Sequence, residues 1–273
     1  MSEFDFLSRV TLGQYMPTGS ILHRLDPRIK IISFTLLLMV LTFTTSKIGL
    51  GIGILVLLIG IVFSKVKLTY ALKGLIPPLP FLLIIAALQV FFNAGVESSP
   101  ILVSIGSVKV TMAGLWAGLT LLIRFTSLIL CLSLASFCIS TSEMIQGLQL
   151  LFKPLNRIKI HTMDLVMVIQ VMLRFIPFLA QTAERIAKAQ ASRGAEWGVK
   201  TRGLWSRVRQ IVPLILPLFL ISLRRADNLA LAMDARAYGY LEQRTSMHEF
   251  KVGWADIFFL LLNITVSLII LYV

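Results

Sequence analysis

Residues 48–64 read Ile-Gly-Leu-Gly-Ile-Gly-Ile-Leu-Val-Leu-Leu-Ile-Gly-Ile-Val-Phe-Ser, without a single charge. Wound as helix at about 1.5 Å per residue, that run reaches roughly 25 Å, close to the hydrocarbon thickness of a bilayer. Comparable runs occupy 29–45, 75–92, 112–139 and 254–272. The composition agrees, because 57% of the residues are hydrophobic and only 14% charged. With a mean hydropathy of +0.86, the 273 residues are too apolar for a soluble globular domain. The sequence therefore predicts an all-α polytopic membrane protein of about five transmembrane helices. The first two runs are short, which implies little tilt or extension into flanking residues.

Basic residues outnumber acidic ones by 26 to 13, a balance that in a soluble chain would suggest nucleic acid. Their placement argues otherwise. Arg9, Arg24, Arg28 and Lys30 precede the first run, Lys65, Lys67 and Lys73 sit between the second and third, and most of the remainder lie between 153 and 251. The connections after the first and third runs hold only Lys47 and Lys109. By the positive-inside rule the N-terminus, the 65–74 loop and the 140–252 block are expected in the cytoplasm, with the C-terminus outside. The excess charge is orientation signal and attraction to the membrane surface, with no nucleic-acid partner. The first twenty residues contain Glu3, Asp5, Arg9 and Gln14 and lack an apolar signal-peptide core, so Met1 is expected to stay with the mature chain.

Three regions follow: an N-terminal arm and four spans over 1–139, cytoplasmic coupling helices over 140–252, and a last span over 253–273. Turn signals fall at 17–19 and at Asp26-Pro27. Residues 101–110 alternate around Gly106, which fits either a small external hairpin or an irregular loop. Pro77, Pro78 and Pro80 predict a broken start to the third span. Cys131 and Cys138, seven apart, are expected on one face of the fourth span as small core residues.

In the polar block, Thr141 or Ser142 can cap a short helix to Phe152, ended by Pro154. A long helix is expected from Asp164 through Pro177 to Ser192, and another from Leu204 to Ala237, bent at Pro213 and Pro217. Both are apolar in their first halves, 165–179 and 211–223, so they are expected to lie at or dip into the interface against lipid or partner protein. Crossing of the bilayer by one or both is the alternative.

These two helices carry a repeat. Glu184, Ala187, Ala189, Ser192, Arg193 and Gly194 match Asp227, Ala230, Ala232, Ala235, Arg236 and Ala237 at the same relative positions. Ala183, Ala187 and Ala191 recur every four residues, as do Ser222, Ala226 and Ala230, a row that lets two helix backbones cross closely, although alanine is also simply a good helix former. Each arginine lies near a helix end, where a cation is favoured by the dipole. An electrostatic cap does not require a small residue on both sides, whereas insertion into an acidic groove of a partner does. Planar bidentate recognition then explains arginine at both places.

The Ser192-Arg193-Gly194 and Ala235-Arg236-Ala237 triplets, with the Asp-Ala-Arg-Ala-Tyr-Gly run over 234–239, resemble the paired Ala-Arg-Gly-type signatures of the transmembrane T component of energy-coupling factor (ECF) transporters. The resemblance covers the whole chain, with Ser and Ala where Ala and Gly are common. It implies a non-catalytic scaffold with no cofactor in a bacterial or archaeal cell membrane. Two cytoplasmic ABC-type ATPases would dock, one per signature arginine, and a membrane-embedded S component would bring a vitamin or metal ion.

Rival readings have less to build on. His23, His161 and His248 are scattered, and no metalloprotease or P-loop pattern occurs. Arg124 is the ionisable residue deep in a span, a hint of a stand-alone carrier or channel, against which stands a structural hydrogen bond or snorkelling.

Overall fold

The computed structural model describes residues 15–92, 101–105, 108–152, 162–194, 204–240, 250 and 252–273. In chain order the elements are α1 (Ile21–Arg24), α2 (Pro27–Phe43), α3 (Lys47–Ser64), α4 (Leu68–Lys73), α5 (Leu79–Phe92), β1 (Ile101–Ile105), β2 (Val108–Thr111), α6 (Met112–Cys138), α7 (Thr141–Phe152), α8 (Thr162–Ser192), α9 (Leu204–Asp234) and α10 (Trp254–Tyr272). They fall into two units, one of Gly13–Ile160 with Phe250–Val273, the other of Met1–Leu12 with His161–Glu249.

The first unit is built around α6, which packs on α2, α3, α4 and α5, while α10 closes against α2 and α3 and α7 lies on α2. Small residues set the closest approach. A Cβ on Gly114 would lie 2.6 Å from the Val90 carbonyl oxygen, and one on Gly118 would lie 3.0 Å from that of Ala86. Glycines four apart on α6 thus receive the α5 backbone directly, the packing that membrane helices use in place of a hydrophobic driving force. Cys131 and Cys138 are free and fully buried, together on the inner face of α6 as expected. Arg124 sends Nη2 to the Thr44 carbonyl at 2.6 Å, so it makes a structural hydrogen bond within the bundle.

The hairpin expected over 101–110 forms, with Ser104 opposite Lys109 and Ile105 opposite Val108, although its turn around Gly106 lies outside the described residues. Thr111 ends it and caps α6, its hydroxyl accepting from the Gly114 amide at 3.2 Å. The prolines delay the third span: Pro77 and Pro78 sit in a turn and the helix begins only at Leu79, four residues later than the sequence expectation of 75. Among the described residues four helices are long and apolar enough to cross a membrane, namely α3, α6, 164–192 of α8, and α10. Of the five expected spans, the first (α2, 17 residues) and third (α5, 14 residues) are shorter than these.

Polar groups collect where α2, α7 and α10 begin and α6 ends. Asp26 and Pro27, expected as a turn, instead start α2: the Asp26 carboxylate accepts from the Arg28 amide at 2.9 Å and proline takes the first helical position. The Asp26 amide in turn donates to Asp256 Oδ1 at 2.8 Å, and Asp256 Oδ2 accepts from the Gly253 amide at 2.8 Å. Asp256, in the first turn of α10, is buried and ties the start of α10 to the start of α2. Lys30, counted above as an orientation charge, is 1% exposed. Its ammonium donates to the His23 carbonyl at 2.7 Å and to Glu143 of α7 at 3.2 Å. His23 bridges further, with Nε2 3.2 Å from the Phe137 carbonyl and Nδ1 2.7 Å from the Ser20 hydroxyl. A carbonyl can only accept, so Nε2 carries a proton.

Removing the Asp256 carboxylate strands the buried Asp26 amide and uncaps α10 at the exposed Gly253. Asp256→Ala is expected to destabilise the protein by about 1–3 kcal/mol, with Asp256→Asn intermediate, in a detergent unfolding titration.

Candidate functional site

Helices α8 and α9 form the second unit, and each is 31 residues long. At about 1.5 Å per residue each reaches roughly 46 Å, well beyond a hydrocarbon core. Pro177 lies inside α8, and Pro213 and Pro217 inside α9, without ending either helix. The apolar window of α8 is long enough to cross a bilayer, which keeps the crossing topology in play beside the interfacial one.

The helices pack on each other. Arg225 of α9 lies over the α8 aromatics, its Cζ 3.6 Å from the Phe178 ring centre and 5.7 Å from that of Phe175. A cation–π contact of this kind contributes about 0.5–1 kcal/mol at an exposed site. The sequence reading missed it, though Phe175 and Phe178, three apart on one face, were a usable signal. The alanine rows divide. Ala187 is 1% exposed and Ala183 and Ala191 are half-buried, whereas Ala226 and Ala230 are exposed. With Met172, Phe175, Phe219 and Met233 the latter two line an open apolar groove of about 660 Å³ between the helices. Around it, Leu165, Val168, Ile169 and Met172 of α8 and Ile211, Ile215, Leu216 and Leu220 of α9 also lie exposed. An apolar surface so continuous marks contact with lipid or another protein.

Both helices end the same way. In α8 the Arg193 amide donates to Gln190 and the Gly194 amide to the Ala191 carbonyl at 3.0 Å, with Gly194 at φ +85°. In α9 the Ala237 amide donates to the Asp234 carbonyl at 2.8 Å and the Tyr238 amide to the Met233 carbonyl at 3.0 Å, with Ala237 at φ 53°. The second set is a complete Schellman end: the left-handed residue and its successor cap carbonyls of the last turn. In both copies the arginine is therefore the C-cap and the small residue after it is the left-handed one. This changes the reading of the motif. At Gly194 the left-handed backbone itself favours glycine, because that conformation costs roughly 1–2 kcal/mol for other residues, whereas Ala237 adopts it and bears the cost. The small residue before each arginine, Ser192 or Ala235, is exposed, and Ser192 turns its hydroxyl back to the Ala189 carbonyl at 2.8 Å. Arg193 and Arg236 are exposed, and neither joins an ion pair among the described residues. Each guanidinium thus stands at the tip of a long helix, beside a chain reversal, open to a planar anionic partner. The connection over 196–203 between them, expected to flex, lies outside the described residues, as do Pro154 and the first fourteen residues.

Fold and site together define a polytopic membrane protein that carries two long helices with matching arginine-bearing ends. The family model described as CbiQ, cobalt transport protein, matches residues 18–247. Proteins named energy-coupling factor transporter transmembrane protein EcfT are similar over nearly the whole length. The relative from Thermosediminibacter oceani is 35% identical over 252 residues, 92% of each chain. That from Clostridium kluyveri is 36% identical over 247 residues, 90% of each chain, and that from Bacillus subtilis 33% over 250 residues, 91% of each. The chain belongs to this family, the transmembrane T components of ECF transporters. It is accordingly a multi-pass membrane subunit of an ECF transporter.

The left-handed ends make a direct prediction. Ala237→Gly relieves the strained cap and is expected to stabilise the end of α9 by about 0.5–1 kcal/mol, whereas Gly194→Ala destabilises that of α8 by about 1 kcal/mol. Hydrogen exchange at the Tyr238 and Gln190 amides reads both.

Proposed function

We propose that this chain is the scaffold and energy-coupling subunit of an ECF-type importer of a vitamin or metal ion. Two cytoplasmic ABC-type ATPases dock on it, one at Ser192-Arg193-Gly194 and one at Ala235-Arg236-Ala237. The observation that carries the reading is the repeated C-cap arginine, exposed and, among the described residues, without an ion-pair partner at the tips of two long helices. A guanidinium so placed satisfies its forked donors by entering a carboxylate-lined pocket on a partner. The apolar groove between α8 and α9, with its exposed leucines and isoleucines, is the complementary surface for the membrane-embedded S component.

Energy then travels mechanically. Closure of the ATPase pair on ATP moves the two docked tips, and long helices held together at the Arg225–Phe178 contact transmit that displacement to the groove. The S component responds only if the groove fits it differently in the two states. The chain itself has no catalytic role and needs no cofactor. Its N-terminus faces the cytoplasm and its C-terminus the outside, by the distribution of Lys and Arg.

The rival reading as a stand-alone carrier rests on Arg124, and the hydrogen bond to Thr44 gives that residue a structural task instead. Charge reversal tests the docking. Arg193→Glu and Arg236→Glu are each expected to weaken ATPase association by about 2–5 kcal/mol, thirtyfold or more in affinity, and the double variant to co-purify with none while still inserting. Full co-purification from the double variant refutes it.

A further inference from the structure

At the end of the first unit where α2 turns into α3, a notch of about 470 Å³ opens between α3, α5 and α6. Its polar lining is Lys47, Gln89, Trp116, Thr120 and Arg124. Two cations face one small volume, and among the described residues no carboxylate lines it. Lys47 holds its ammonium 4.5 Å from the centre of the Trp116 ring. Arg124 spends Nη2 on the Thr44 carbonyl, while its Nε is buried without a partner. The Thr120 hydroxyl donates to the Trp116 carbonyl at 2.7 Å, which leaves its oxygen as an acceptor only. The unmet need of the notch is therefore for an anion with several oxygen acceptors.

The surroundings say where that anion comes from. Trp116 lies one turn into α6, the depth at which amphipathic rings mark the headgroup level of a bilayer. Leu88, just before Gln89 on α5, and Leu115 and Leu119 on α6 are exposed, an apolar strip on the flank of the notch. A phosphate attached to acyl chains satisfies both parts, whereas a free phosphate uses only the first.

We propose that Lys47, Gln89, Trp116 and Arg124 form a binding site for the phosphodiester headgroup of an anionic phospholipid in the leaflet facing the α2–α3 turn. The phosphate oxygens accept from the Lys47 ammonium, the Gln89 amide and the free edge of the Arg124 guanidinium. The acyl chains lie along the α5–α6 strip. Such a lipid clamps the start of α3 to α5 and α6.

Trp116 is the reporter. Of the four tryptophans, Trp197, Trp205 and Trp254 are changed to Phe in the full chain, which is placed in nanodiscs of phosphatidylcholine doped with brominated lipid. Brominated phosphatidylglycerol is expected to quench Trp116 at a mole fraction roughly tenfold lower than brominated phosphatidylcholine, a preference on the scale of two cations near one anionic lipid. Lys47→Gln is expected to remove most of that preference, and Arg124→Lys, which keeps the charge near Thr44, to retain part of it. Equal quenching by the two lipids, or an unchanged preference in Lys47→Gln, overturns the site. Relief of quenching by millimolar inorganic phosphate assigns the notch to a soluble anion and overturns the lipid.

Discussion

In a chain this apolar, backbone donors and acceptors have to be satisfied inside helices, because lipid offers them nothing. Irregular backbone then gathers at helix ends, and apart from Arg124, held inside α6 by its bond to the Thr44 carbonyl, the first unit concentrates its buried charge there. At one end of the first unit, Asp26 and Asp256 each cap a helix start and the Asp26 amide donates to Asp256 to join them, while Lys30 joins the start of α2 to that of α7 through Glu143. At the tips of the second unit the same constraint works in reverse, since the last carbonyls of α8 and α9 are closed by left-handed residues. Each closure fixes where the preceding arginine stands. The two arginines proposed to dock the ATPases are thus positioned by the oldest problem of the helix, its unsatisfied last turn.

The two units divide the physical work. Buried leucines, cysteines and closely packed glycines make the first a well-filled bundle, with Leu41, Leu50, Leu57 and Cys131 at 1% exposure or less. The second has Ala187 as its buried position among the described residues, and its large aliphatic side chains are exposed along both helices. A pair of helices so thinly packed on itself draws its stability from what covers it. An apolar surface left open in the isolated subunit is one that lipid or another protein covers, and the proposed function assigns it to a partner.

Much of this was legible in the sequence. The helix over 48–64, the span ending at Tyr272 and the helix over 141–152 follow from apolar runs and caps that involve neighbouring residues. The repeat around Arg193 and Arg236 is visible without any structure, and so is the family it points to. What escaped is whatever depends on distant partners. Nothing near Asp256 says that Asp26, 230 positions away, offers it an amide, and nothing near Lys30 distinguishes a buried ammonium from a topology signal. The prolines were partly legible too: the broken start expected at Pro77 and Pro78 is there, four residues of turn longer than the apolar run suggested, and both long helices run on through Pro177, Pro213 and Pro217. The motif itself was read for its small residues as clearance for the arginine, and half of that clearance turns out to be backbone geometry.

The central claim is that each helix tip meets one ATPase. Ser192→Cys and Ala235→Cys place thiols beside the arginines without altering them, and the native Cys131 and Cys138 are buried and stay silent. A short maleimide–benzophenone cross-linker, anchored at the new thiol and photo-inserted into whatever protein lies beside it in membranes carrying the intact transporter, is expected to join each position to an ATPase subunit, and the double variant to two. Were neither position to trap an ATPase in a complex that still hydrolyses ATP, the tips would not be the docking sites and the account would fail.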